Sequence, residues 1–379
     1  MTASSESGNG APQNGAAKGA RSPADVGLAN NAAPPPTAPF SAPPSSPESP
    51  ATTVKEAAAS APEPTAEPAT CPACGEAEAR LLFETTDRLL RTTRNRYRIL
   101  ECAACRLIRL DPPPRASEWR THFVKPEPPG TKSLAERIER AYRALVVHDH
   151  VGFVIRALRN AGEADGIADI GFHRGELRRT LAERGFRVVA VDITPEAAAT
   201  SRKGEALPLE IEGSEATLAP GSCAVVTVLN VLEHLRDPAS CLASASALLR
   251  PGGRLVLQAP NANCWQFLTL GEHWSGLDVP RHLISFRVPD LEALLDFCGF
   301  EVVRRKFFSL RDNPASLATS VVPGLDPAVR RARGGRENEL ASLLKTLLYL
   351  LFVAFAVPFT VIESACRAGS SVMIEARKK

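Results

Sequence analysis

No apolar run sits near the start of the chain. The first 30 residues hold nothing like the core of an export signal, so a cytoplasmic protein is expected. Charge of neither sign dominates: 45 Lys and Arg face 42 Asp and Glu, a net of +3. The carriers are spread along the chain, which argues against nucleic acid as a partner. Aromatics are scarce, at 6%, and Phe40 is the only one before residue 70. Residues 1–70 are rich in Ala, Pro, Ser, Gly and Glu. Such a segment cannot bury enough apolar surface to offset its ordering entropy, so a disordered tail is expected there. The nine cysteines are an odd number, and four of them stand in two tight pairs. That pattern suits a reducing compartment and a metal site rather than a disulfide framework.

Those pairs open the ordered part of the chain. Cys71-Pro-Ala-Cys74 and Cys102-Ala-Ala-Cys105 make a C-x2-C-x27-C-x2-C arrangement, with the strand-like Arg96–Leu100 between them. Each turn brings two thiolates within reach of one tetrahedral zinc ion, so Cys71, Cys74, Cys102 and Cys105 are the candidate ligands. With four thiolates no position stays open and the zinc is structural. The small unit, residues 71–115, takes its folding energy from the metal. Gly75 follows the first pair and Arg106 the second, so the second turn is expected to be strained. Cys223, Cys241, Cys264 and Cys298 read as ordinary buried cysteines.

Residues 133–160 carry spaced apolar positions (Leu134, Ile138, Tyr142, Leu145, Val146), as in one amphipathic helix or two. From 166 to about 310 strands and helices alternate. Strands are expected at 166–170, 187–193, 207–212, 224–229, 254–259 and 300–307. Helices are expected at 175–184, 195–203, 239–249 and 291–298. Repeated βα units mean a doubly wound, Rossmann-like α/β sheet with ligands beyond the carboxyl ends of its strands.

The loop after the first of these strands reads Asp169-Ile-Gly171-Phe-His173-Arg-Gly175. Glycine lets backbone approach a ligand, and the helix that follows offers free N–H groups. A dinucleotide fingerprint, GxGxxG, would need glycine where His173 and Glu176 stand. The pattern acidic-x-Gly-x-Gly-x-Gly fits better and lacks only its middle glycine. Asp192 follows Gly171 by 21 residues, where an acid can accept both hydroxyls of a ribose.

With Val225–Pro238 (VVTVLNVLEHLRDP), the turn LLRPGGRL and the segments Gln258–Asn261 and Trp274–Ser285 (WSGLDVPRHLIS), the chain resembles class I S-adenosylmethionine-dependent methyltransferases. The nearest group by these motifs methylates small molecules such as quinone rings and sugars. The resemblance spans roughly 133–310 plus a last strand at 371–377, and implies a seven-stranded sheet. It implies that residues 169–175 hold the methionine part, Asp192 with Ile193 the ribose side, and Glu215 the adenine. Leu229 and Asn230 would line the wall behind the sulfonium. Zinc-ribbon heads occur on relatives of this group. Two departures stand out: His173 occupies a glycine position, and Ala224 replaces a common acid. Either His173 turns outward and the loop binds normally, or the domain is a non-catalytic relative acting as a scaffold at a membrane surface. A nucleic-acid methyltransferase is disfavoured, because no Asn-Pro-Pro-Tyr-type motif follows the fourth strand.

Methyl transfer needs in-line placement, plus a base where the acceptor is a hydroxyl. Glu233, His234, His282 and Asn261 fall at the carboxyl edge of the sheet. His234 and His282 are the catalytic candidates, each with a bracing role as the alternative. Thr346–Ile362 has 17 residues without a charge and is interrupted by Pro358. Eight residues separate it from the last strand. Eight residues reach about 28 Å extended, so a return across a bilayer is excluded. Residues 343–362 therefore read as an interfacial helix, a lid, a dimer contact or a buried core helix. The basic run Arg330–Arg336 would suit anionic lipid headgroups.

The expected chain is thus a tail (1–70), a zinc ribbon (71–115) and a methyltransferase domain (116–379) with an apolar insertion near 338–365. Its cofactors are S-adenosylmethionine and structural zinc. Its partner is a small-molecule acceptor, lipid-linked or sugar-linked. Oligomeric state is left open.

Overall fold

The computed structural model describes residues 70–115, 118, 121–122, 129–130, 132–162, 166–171, 176–193, 209–211, 218–310, 312–334 and 337–379. Residues 1–69 of the expected tail (1–70) and the expected helix at 195–203 lie outside them.

The first strands, β1 (Ala79–Thr86), β2 (Arg96–Cys102) and β3 (Ile108–Asp111), form an antiparallel ribbon. A later two-residue strand, β9 (Ile284–Ser285), joins its edge beside β3. The ribbon sheet is therefore completed by the segment that carries His282.

The main sheet contains β4 (Ile167–Gly171), β5 (Val188–Asp192), β6 (Glu210–Ile211), β7 (Cys223–Leu229), β8 (Leu249–Pro260), β10 (Phe300–Lys306) and β11 (Ser371–Lys378). Its order is β10-β11-β8-β7-β4-β5-β6. Parallel pairing joins β5, β4, β7 and β8, while β11 runs antiparallel between β8 and β10. This is the expected Rossmann-like sheet with its last strand inserted. One difference is β6, which meets β5 antiparallel through two residues at the sheet edge.

Every residue of β4 and β7 is buried, as strands covered on both faces must be. Alternation along β7 sorts its side chains into two cores. Val226 and Val228 pack with Leu242, Leu255 and the ribbon residues Tyr97, Ile99 and Ile108. Val225 and Leu229 pack on the other face with Val151 and Val154. The first of these cores runs without interruption from the ribbon into the main sheet.

Helix α1 (Leu134–Asn160) is continuous. Ser133 and Glu136 satisfy each other's backbone N–H groups in a capping box at its start. Its buried stripe is Val147, Val151, Val154 and Leu158. The sequence expectation placed the apolar face earlier. Leu134 and Leu145 are in fact more than half exposed. Helix α2 (Glu176–Ala182) follows β4, α3 (Pro238–Leu248) precedes β8, α4 (Trp265–Leu270) follows β8, and α5 (Val288–Phe297) precedes β10.

After β10 come α6 (Asp312–Val321), α7 (Pro327–Ala332) and the 27-residue α8 (Glu339–Ala365). Helix α8 is long and apolar enough to cross a membrane by length and composition. It is docked along α6 and α1, and its chain enters β11 five residues later, so it lies against the fold. Its buried positions are Thr346, Tyr349, Val353, Ala356, Thr360 and Glu363, a clean three-four spacing. Four of those six side chains are polar. The outward positions, among them Leu344, Leu348, Leu351 and Phe355, are exposed and apolar. The helix is inside out relative to a water-facing one, and it is not a buried core helix.

Candidate active site and cysteine cluster

The described members of the expected cofactor set line up along one edge. Gly171 ends β4 and sits opposite Asp192, the last residue of β5. The Ile193 N–H donates to the Gly171 carbonyl at 3.4 Å. Leu229 ends β7, and Asn230 follows with φ of 52°, a left-handed conformation that turns the chain sharply at the strand end. Asp169 is buried within β4, and its carboxylate accepts a hydrogen bond from Thr227 Oγ1 on β7. Three neighbouring strands thus present these residues at their carboxyl ends, where such a sheet binds ligands. His173, Gly175 and Glu215 lie outside the described residues.

A cavity of about 560 Å³ opens beside this edge, and Asn230, Glu233, His234 and His282 line it. Glu233 and His234 sit in one turn of 3₁₀ helix, Leu232–His234, just beyond β7. The Glu233 carbonyl accepts the Leu283 N–H at 2.7 Å, which ties that turn to the His282 segment. The two imidazoles meet edge to face with centroids 4.7 Å apart. His234 Nδ1 donates to the Arg281 carbonyl at 3.0 Å and His282 Nδ1 to the Gly276 carbonyl at 2.7 Å. Burial pushes Glu233 up to about 8, with the charges of Asp278 and Asp312 adding to it. Burial, together with His282, pushes His234 down to about 3, and burial lowers His282 as well. Both rings are neutral near pH 7. Asn261, the other edge candidate, is spent on backbone: its Nδ2 donates to the Gly369 carbonyl at 2.9 Å.

The sequence reading missed an ion-pair network over this cavity. Arg281 is 4% exposed and donates two hydrogen bonds to Asp87, at 2.9 and 3.1 Å, and two to Asp278, at 2.9 and 2.6 Å. Asp87 in turn accepts from the Leu90 N–H and from the Thr92 N–H and hydroxyl. That fixes the loop between β1 and β2, and Leu89 and Leu90 of this loop line the cavity. Arg281 stood beside His282 in the motif, but nothing in the sequence pointed to a partner 194 residues away. From α8, Thr346 and Tyr349 complete the opposite wall. Tyr349 meets the Thr319 hydroxyl at 3.1 Å.

At the far end of the ribbon the four expected cysteines converge. Sγ atoms of Cys71 and Cys105 lie 3.6 Å apart, and those of Cys74 and Cys102 lie 3.5 Å apart. All four lie within 4.8 Å of one another. Tetrahedral bonds of about 2.3 Å to zinc set sulfurs about 3.8 Å apart, so the cluster is compatible with that ion. The two turns differ as expected: Gly75 has φ of 79° and Arg106 has φ of 63°, with a side chain carried in the left-handed region.

A family model described as a methyltransferase domain matches residues 140–305. Among curated proteins, the chain is 32% identical over 130 residues to the ubiquinone biosynthesis O-methyltransferase of Pseudomonas aeruginosa strain UCBPP-PA14, covering 32% of this chain and 56% of that one. It is 34% identical over 111 residues to the enzyme of the same name from Aeromonas salmonicida, covering 27% and 47%. The chain thus spans about half the length of the curated relatives it matches. Among solved structures, a SAM dependent methyltransferase from Archaeoglobus fulgidus aligns with 61% of this chain and 94% of its own at 17% identity, with a TM-score of 0.36. The residues that the methyltransferase-domain model matches, 140–305, take in most of α1 and the main-sheet strands from β4 to β10.

Proposed function

We propose that this chain transfers a methyl group from S-adenosylmethionine to an oxygen of a small-molecule acceptor. The observation that carries the reading is the coincidence of the methyltransferase-domain match with a cavity just beyond the carboxyl ends of β7 and β8, beside the strand edge that ends in Gly171 and Asp192. Gly171, Asp192, Ile193, Leu229 and Asn230 would hold the cofactor on that edge, with His173, Gly175 and Glu215 completing it. The bound cofactor supplies an electrophilic methyl on sulfonium. The protein places the acceptor in line and excludes water. His234 and His282 stand where an acceptor hydroxyl would lie, fixed by the Arg281 and Gly276 carbonyls.

A phenolic ring acceptor, as the relatives' names suggest for those proteins, suits the cavity. Helix α8 favours one that is lipid-linked. Its polar side closes the cavity through Thr346 and Tyr349, while its apolar side faces outward, so a tail leaving the cavity meets apolar surface. The same outer face would seat the protein on a membrane. The four cysteines would hold a structural zinc that fixes the ribbon and, through it, the cavity loop at Leu89 and Leu90.

Calorimetric titration of S-adenosylhomocysteine into the protein tests the core of this reading, beside a His173→Gly variant. Micromolar binding by the wild type is expected. Binding seen only in the variant would return the chain to the scaffold reading.

A further inference from the structure

Strands β10 and β11 are antiparallel neighbours that a hairpin loop of about two to five residues would join. The chain instead sends α6, α7 and α8 out between them, beyond the residues 140–305 that match the methyltransferase-domain model. Those helices supply a side of the cavity, so what that side selects belongs to the insertion. At its centre one residue from each helix meets. Thr319 of α6 donates to Oδ2 of Asp326, the cap of α7, at 2.7 Å. The Tyr349 hydroxyl of α8 lies 3.1 Å from Thr319 Oγ1 and 3.4 Å from Asp326 Oδ2. Asp326 Oδ1 is taken by the Ala328 and Val329 N–H groups. The 3.4 Å contact lies outside the range of about 2.5–3.0 Å for such hydrogen bonds. Oδ2 therefore has one firm donor and room for a second. Among the described residues the partners of this carboxylate are hydroxyls and backbone N–H groups, with no cation among them. Burial, with the charge of Asp326 beside it, pushes the Tyr349 hydroxyl well above its ordinary value, so it stays protonated.

The charge around the cavity points the same way. Among the described residues, five carboxyl groups line it against two guanidiniums. Both guanidiniums are already paired, Arg143 with Glu139 at 3.0 Å and Arg281 with Asp278 at 2.6 Å. Glu233, on the strand side, is 1% exposed, and neither carboxyl oxygen has a hydrogen-bond partner among the described residues. A buried polar group in that state is costly unless a ligand brings it a hydrogen bond. We propose that Thr319, Asp326 and Tyr349 select the acceptor: they take a hydroxyl remote from the methylated oxygen, and the Asp326 charge rejects a molecule with a carboxylate in that place. The acceptor class is then an uncharged ring that carries a further hydroxyl. Asp326 Oδ2 accepts the remote O–H, while Thr319 and Tyr349 hold the carboxylate in position and offer their own hydroxyls to the same group. Selection of this kind comes from the repelled competitor as much as from the favoured contact. The inference rests on the methyl-transfer reading and names the substrate class for it.

The test compares 3,4-dihydroxybenzyl alcohol with 3,4-dihydroxybenzoate, which differ only in a hydroxymethyl group against a carboxylate. Each is titrated into the full chain saturated with S-adenosylhomocysteine, and binding is followed by ligand-observed nuclear magnetic resonance. The wild type should bind the alcohol about tenfold more tightly than the acid, or better. Asp326→Asn keeps the helix cap, because Asn caps as well as Asp. It should cut that ratio to about threefold or less, chiefly by admitting the acid. Tyr349→Phe should lower the ratio as well, by weakening the alcohol alone. A merely structural loss would weaken both molecules alike and leave the ratio in place. A wild-type ratio near one, a ratio unmoved in either variant, or binding of neither molecule overturns the proposal. Failure of the wild type to bind S-adenosylhomocysteine would instead strike the methyl-transfer reading itself.

Discussion

Arg281 and Asp87 show at the scale of one residue how the ribbon is joined to the cavity. Burial alone would raise Asp87. Hydrogen bonds and charge from Arg281 outweigh it and hold the carboxyl at about 2. A depressed carboxylate stabilises the fold above its unfolded value, and that stability is lost as pH falls through the folded one. A shift of this size corresponds to about 2 kcal/mol. Asp87→Asn should therefore lower stability by about 2 kcal/mol at pH 6, and the gap to wild type should close between about pH 4 and pH 2. Urea unfolding across that range checks it; a gap independent of pH would mean the pair is not coupled to folding. A second residue-scale prediction concerns Arg106. Its left-handed backbone costs about 1 kcal/mol with a side chain present, and its ion pair with Glu101 is 3.3 Å long and largely exposed on the arginine side. Arg106→Gly should raise stability by about 0.5 kcal/mol, read as an upward shift of the denaturant midpoint.

At the scale of elements, the strands were legible because burial on both faces writes itself as continuous apolar runs, as in Cys223–Leu229. The cofactor edge was legible for the same reason: Gly171, Asp192 and Asn230 mark strand ends. The cysteine pairs were legible from spacing, and even the strain at Arg106 followed from a missing glycine. Long-range pairing was not legible. Nothing local says that Ile284 and Ser285 complete the ribbon, or that Asp87 reaches Arg281. Nor did the run of arginines read correctly. Arg330 pairs with Glu337 at 2.6 Å, Arg331 binds Glu139, and Arg333 donates to the Leu89 carbonyl at 2.8 Å. The described arginines of that run are engaged by partners within the fold. The ribbon itself carries a prediction, because its core residues Tyr97, Ile99 and Ile108 pack in the same cluster as Leu242 and Leu255. Chelating the zinc proposed for the cysteines should lower the melting temperature of the whole described fold in one transition. Two separate transitions in calorimetry would show that the ribbon folds by itself.

Across the whole molecule, the decisive asymmetry is helix α8. Its inner seam is bonded: Thr346 accepts from Arg330 at 2.8 Å, and Glu363 accepts from the Gln266 side chain at 2.9 Å and from its N–H at 3.1 Å. Those contacts fix which face turns outward, and that face is apolar over the length of the helix. Leu344 is 59% exposed and Phe355 is 76% exposed. Taking four such half-exposed side chains out of water is worth about 4 kcal/mol, enough for reversible attachment to a bilayer. Since the nearby arginines are engaged internally, attachment should draw on apolar burial and little on charge. The full chain should therefore sediment with neutral phosphatidylcholine vesicles and stay bound at 0.5 M salt, where charge attraction is screened beyond about 4 Å. Leu348→Glu with Phe355→Glu should abolish sedimentation while leaving the circular dichroism spectrum and S-adenosylhomocysteine affinity unchanged, because neither side chain lines the cavity. Binding that appears only with anionic lipid and vanishes with salt would place the contact on a basic surface elsewhere, and the outward face of α8 would then need a protein partner.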